Sequence, residues 1–133
     1  FSGMHRLTLS LLTERLAICR LEGDAPVPDW ALVGSFASVT RSPDELSVVC
    51  PLRNVPPGVR CEPGWRGLRV QGPLDFSLVG VMAALAAPLA SAGVSMFALS
   101  TYDTDYLLVR ATDVDAAVAA LEAVGHTVRL AGA

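Results

Sequence analysis

With 133 residues, 52% of them hydrophobic and only 17% charged, the chain has material for one compact domain or two small lobes with a well-buried core. A net charge of -3, with arginines scattered singly, gives no basic field for a phosphate backbone, so nucleic acid is excluded as a partner. Cys19, Cys50 and Cys61 leave at least one thiol unpaired and form no C-x-x-C motif. This points to a reducing, cytoplasmic setting with no metal and no cofactor.

Phe1-Ser2-Gly3 reads as a foreign leader before an initiator Met4, with no secretory pattern behind it. Strands are predicted over about 6–12 and 15–21, then a Pro-rich joint from Asp24 to Pro28 leads into Trp30. Phe36–Arg41 and Glu45–Cys50 flank Ser42-Pro43-Asp44, whose turn residues predict a hairpin. Asn54-Val55-Pro56-Pro57-Gly58 reads as a linker between lobes.

The second half begins with a short strand, Leu68–Gln71, stopped by Gly72-Pro73. Leu78, Met82, Leu85 and Leu89 then recur at helical spacing, with Asp75 or Ser77 as cap, Pro88 late in the helix and Gly93 at its end. Val94–Thr101 is apolar on both faces and reads as a central strand, and Tyr102-Asp103-Thr104-Asp105 as a turn into a returning strand, Tyr106–Arg110. Thr112-x-x-Asp115 reads as a capping box for a helix with the stripe Val114, Val118, Leu121 and Val124, before a last strand, His126–Leu130. This order, βαββαβ, is the ferredoxin-like unit of α+β proteins. The uncharged run Phe76–Leu99 is long enough to span a membrane, but Pro88, Gly93 and its Ala, Ser and Gly content argue against that.

Catalytic groupings are missing from this reading. His5 and His126 lie far from any Ser or Cys with an acidic partner and are expected to be structural, and Cys19 and Cys50 are expected to be buried hydrophobes. The loop Gln71–Ser77 holds no Arg and no glycine-rich nest, so phosphate chemistry is disfavoured. What stands out is a cluster of small and polar residues where loop, helix start and hairpin turn meet. Gly80 is its least conventional member, since Gly in the first turns of a helix costs up to about 1 kcal/mol.

Three stretches, 64–70 (GWRGLRV), 72–81 (GPLDFSLVGV) and 100–109 (STYDTDYLLV), resemble the small bacterial ACT-domain proteins, which are similar to the regulatory domains of aspartate kinases and to the cytosolic arginine sensors of animal cells. The hairpin 44–51 (DELSVVCP) fits the same pattern. The resemblance implies two tandem ACT-type units: an abbreviated first one at 4–63 and a complete second one at 64–131. It implies a non-catalytic sensor that holds an amino acid at the interface between ACT units. Gly80 and Val81 would then offer backbone N–H groups to the carboxylate, and Asp105 with the carbonyls of Thr101 and Tyr102 would take the ammonium. Ser47, Val48 and Val49 would form the opposite wall, and Asp75 and Asp103 would add negative charge for a basic side chain. A homodimer and a regulated protein partner also follow from the resemblance. The competing reading is an assembly module without a ligand.

Overall fold

The structure is a computed structural model and describes residues 6–71 and 80–131. Its strands are β1 (Thr8–Leu21), β2 (Ser38–Arg41), β3 (Leu46–Pro51), β4 (Cys61–Val70), β5 (Met96–Ser100), β6 (Asp105–Arg110) and β7 (Thr127–Leu130). The helices are α1 (Val81–Ser91) and α2 (Val114–Ala123), with single 3-10 turns at Asp29–Leu32, Leu52–Asn54 and Ala111–Asp113. No helix among the described residues is long and apolar enough to cross a membrane.

β1 is one strand of 14 residues where the residue pattern predicts two. The polar pair Glu14-Arg15 looks like a break, yet the Glu14 carboxylate accepts a hydrogen bond from the Ser35 hydroxyl at 2.9 Å and pairs with Arg53. A satisfied carboxylate need not interrupt a strand.

Two compact units divide the chain, and neither is continuous with the predicted boundary alone. One holds Glu14–Trp65; the other holds Arg66 onward together with the stretch up to Thr13. The boundary expected at 63/64 therefore falls two residues later, and the expected linker 54–58 lies inside the first unit instead of between units. Pro56 and Pro57 end the 3-10 turn and lead into β4.

In the C-terminal unit the strand order is β7-β1-β4-β6-β5. The βαββαβ order of β4, α1, β5, β6, α2 and β7 is present, but residues 8–11 of β1 lie between its first and last strands. β7 runs parallel to β1 from Thr8↔Thr127 to Leu11↔Leu130, and on the other side Gln71 donates its N–H to the Thr8 carbonyl at 2.8 Å. The segment 64–131 is therefore not complete by itself. Leu9, Leu68, Val70, Val81, Leu85, Leu89, Val94, Leu107, Val109, Ala117 and Leu121 form its core. The predicted stripes of both helices supply Leu85, Leu89 and Leu121 to it, whereas Leu78 lies outside the described residues.

Helix α1 carries Pro88 in its interior, so the carbonyl of Ala84 has no N–H four residues on to receive. His126 meets that carbonyl through Nε2 at 3.2 Å, while its Nδ1 accepts the N–H of Leu7 at 3.1 Å. The neutral Nε2–H tautomer satisfies both contacts. This buried histidine links α1, the approach to β1 and the approach to β7. It has a structural role, as the sequence reading expects, while His5 lies outside the described residues.

The helix α2 starts later than predicted. Thr112 and Asp113 sit in a 3-10 turn, Asp113 is the N-cap, and no side chain bonds to the cap, so the expected capping box does not form.

The N-terminal unit has the order β2-β3-β1-β4 and no α-helix among its described residues, which makes it abbreviated. Ala17, Cys19, Ala31, Leu46, Val48 and Cys50 make its core. The hairpin forms as predicted, with Arg41 opposite Leu46 and the Ser42 hydroxyl accepting the N–H groups of Asp44 and Glu45 at 3.3 Å. Gly23 presses against this turn: a Cβ there would come within 2.3 Å of the Pro43 carbonyl oxygen, so no side chain fits.

Candidate functional site

The turn that holds Thr101, Tyr102 and Asp103 of the predicted site is tied to the C-terminal end of β4. The β5–β6 hairpin closes with Ser100 opposite Asp105, and Thr101 donates its N–H to the Thr104 carbonyl at 2.8 Å. The Thr101 hydroxyl adds two further bonds: it donates to that same carbonyl and accepts the Thr104 N–H. Thr104 is buried, and its hydroxyl donates to the carbonyl of Val70, the last residue of β4. Val81 at the start of α1 packs in the core cluster that contains Val70. The turn is therefore anchored to the end of that strand, and the helix start shares its core.

Gly80 is the N-cap of α1, with φ 85° and ψ 5° in the left-handed region. Its identity has a conformational cause, because a Cβ there would meet no atom within 4 Å but would suffer the left-handed penalty of about 1–2 kcal/mol. The left-handed backbone is thus one sufficient reason for a glycine at this position. Among the described residues no side chain caps this helix start, and its first turn contains no acidic residue. The first N–H groups of an α-helix have no partner within the helix and carry the positive end of its dipole. Gly80 is exposed, while the Val81 side chain is buried, so Val81 can contribute only its backbone.

Thr101, Tyr102 and Asp103 are exposed on the turn, Tyr102 to 80%. Asp105 is half-buried, and its Oδ1 accepts the Ser100 hydroxyl at 2.6 Å. One side of the carboxylate is held in place, which fixes the direction of the other. Asp75 lies outside the described residues, as does the predicted cap Ser77.

The three β3 residues belong to the N-terminal unit. Their strand is paired on both sides, with Val48 opposite Cys19 and Val39, and Val49 opposite Ile18 and Ser38. Both valine side chains are buried, so Ser47, half-buried, is the one of the three with a polar side chain to present. Ser100 and Thr104, which orient Asp105 and anchor the turn, are absent from the predicted site. Their signal in the sequence is a run of small hydroxyl residues around a turn, which by itself reads as turn chemistry. Among the described residues, no group of three or more His, Cys, Asp or Glu is arranged to hold a metal ion.

Comparison with known proteins agrees with this architecture. An ACT domain family model matches residues 60–123, and a second model, of an N-terminal domain, matches residues 14–58, nearly the extent of the N-terminal unit. The crystal structure of protein Atu0741 from Agrobacterium tumefaciens is similar at 37% identity and a TM-score of 0.91, over 97% of this chain and 96% of that one. The aspartate kinase of Clostridium acetobutylicum shares the fold at 12% identity and a TM-score of 0.69, over 92% of this chain and 35% of that one. The regulatory subunit of aspartate kinase from Thermus thermophilus shares it at 16% identity and a TM-score of 0.58, over 86% of this chain and 95% of that one. No curated protein matches the chain. With an ACT model across the C-terminal unit and a 37%-identical relative matched along nearly its whole length, the chain belongs to the ACT-domain family and has its α+β, ferredoxin-like fold.

Proposed function

We propose that the chain is a non-catalytic regulatory protein of the cytoplasm that binds a free amino acid at an ACT unit. The observation that carries this reading is the Asp105 carboxylate, oriented by Ser100 on a turn that Thr104 ties to the end of β4, in the same unit as a helix start with a left-handed glycine cap. An amino acid presents one negative and one positive group a short distance apart. The N–H groups that follow Gly80 suit its carboxylate. Asp105, with the carbonyls of Thr101 and Tyr102, suits its ammonium. Asp103 on the same turn adds negative charge and favours a basic side chain.

Melting the chain in the presence of each of the twenty amino acids tests this proposal. A ligand at about 100 times its Kd adds roughly 2.7 kcal/mol, a shift of several degrees. Asp105→Ala should abolish that shift. Ser100→Ala, which deletes the same internal hydrogen bond but keeps the carboxylate, should retain most of it. Equal shifts for the two variants would refute the role of Asp105, and the lack of any shift in the wild type would favour the assembly reading.

ACT ligands are shared between units, and a second copy of the chain can complete the site. β5 ends the strand order of the C-terminal unit and so leaves one row of backbone groups open to another strand. Light scattering should give twice the 13.9 kDa monomer mass; a monomer alone would contradict the dimer.

A further inference from the structure

The three thiols of the chain converge in the N-terminal unit. The Arg20 N–H in β1 donates to the carbonyl of Arg60, the residue just before the neighbouring strand β4, at 2.9 Å. In an antiparallel ladder that bond sets Cys19 across from Cys61, one step along, in the setting of a non-hydrogen-bonded pair, the kind whose Cα atoms stand about 4.5 Å apart. A disulfide needs about 4.4–6.8 Å, so this pair is inside the range. Cys50 stands opposite Ala17 while Cys19 stands opposite Val48, which makes Cys19 and Cys50 diagonal neighbours at about 7–8 Å, beyond that range. The Cys19 thiol is close enough to both other thiols for each to raise its pKa, and strand geometry favours Cys61 as its partner. Access differs as well: Cys19 and Cys50 are buried, whereas Cys61 is half-buried and reachable from solvent.

We propose that Cys61 and Cys19 are an oxidisable pair, a modification site at which the Cys61 sulfur is oxidised by a hydroperoxide and a cross-strand disulfide closes to Cys19. With hydrogen peroxide, the Cys61 sulfur takes one oxygen as the O–O bond breaks; the thiol proton leaves with the other oxygen as water, and a sulfenic acid remains. The Cys19 sulfur then attacks the Cys61 sulfur. The sulfenic hydroxyl leaves with the Cys19 proton as a second water, and the S–S bond forms. Two thiols have lost two hydrogens, and the peroxide has been reduced to two waters. Burial, with Cys50 and Cys61 adding to it, pushes the Cys19 thiol up to about 12. Cys19 therefore stays protonated at neutral pH and is not the thiol that meets the peroxide; it gives up its proton only as it attacks the Cys61 sulfenic sulfur, which slows closure of the disulfide.

The test exposes the folded wild-type chain to hydrogen peroxide at neutral pH, alkylates residual thiols after unfolding and maps tryptic peptides. Cleavage at Arg15, Arg20, Arg53, Arg60 and Arg66 places each cysteine in its own peptide. The expected product links the Cys19 and Cys61 peptides with the loss of two hydrogens, leaves Cys50 alkylated, and reverts to three thiols with dithiothreitol. Cys50→Ala should give the same link and Cys61→Ala none. A Cys19–Cys50 link, a Cys61–Cys61 link between chains, or Cys61 overoxidised beside an alkylated Cys19 would overturn the proposal. The reading rests on the thiols alone, so it stands or falls separately from amino-acid binding.

Discussion

Leu9→Ala is expected to lower the free energy of unfolding by about 3 kcal/mol, within the range of about 2–5 for truncating a fully buried leucine. Leu9 is inaccessible to solvent and packs in the core of the C-terminal unit, although it stands more than fifty residues before that unit's other strands. Its cost measures how far β1 is an integral strand of the βαββαβ sheet. Urea unfolding of Leu9→Ala beside Leu32→Ala makes the comparison internal, because Leu32 is 62% exposed and should change stability by less than about 0.5 kcal/mol. Equal, small effects would mean that the stretch 64–131 holds together without the N-terminal strand.

Alkali is expected to destabilise the chain through Cys19. Its thiol rises from 9.0 to about 12 on folding, first because burial removes solvent from the thiolate and then because Cys50 and Cys61 add to the penalty. Below pH 9 the thiol is protonated in both states and the folded state keeps its full stability. Between 9 and 12 the unfolded chain loses this proton while the folded chain holds it, so stability falls as pH rises. At 1.36 kcal/mol per unit, the loss approaches about 3 kcal/mol by about pH 11. Cys50 is raised in the same direction, again chiefly by burial, and steepens the fall. Denaturant unfolding at about pH 8 and about pH 11 measures the slope, and Cys19→Ala should flatten it. A slope unchanged in that variant would remove Cys19 as the cause.

The strand and helix order of the second half was legible because its periodicity is strong: Leu85, Leu89 and Leu121 fall on buried faces, and the polar run 101–104 can only turn. The insertion of β1 between β4 and β7 was not legible, since no local pattern encodes which distant strand a segment joins. The role of His126 was hidden for a similar reason. It answers a hydrogen-bond deficit created by Pro88, and that pairing exists only once the chain has folded. In the candidate site, the turn and the helix start could be read from glycine and hydroxyl residues. The anchor from Thr104 to Val70 could not, because a threonine in a turn looks the same whether its hydroxyl points to solvent or to a strand end. Gly80 carried a real signal, for which the fold supplies a backbone cause, a left-handed N-cap.

Equilibrium dialysis of the folded chain against an equal mixture of the twenty amino acids tests amino-acid binding without any conformational readout. One amino acid, or a pair of closely related ones, should be enriched on the protein side toward a stoichiometric amount, and Asp105→Ala should return it to the level of the others. Twenty equal concentrations on both sides of the membrane, with the wild-type chain folded, would contradict amino-acid binding.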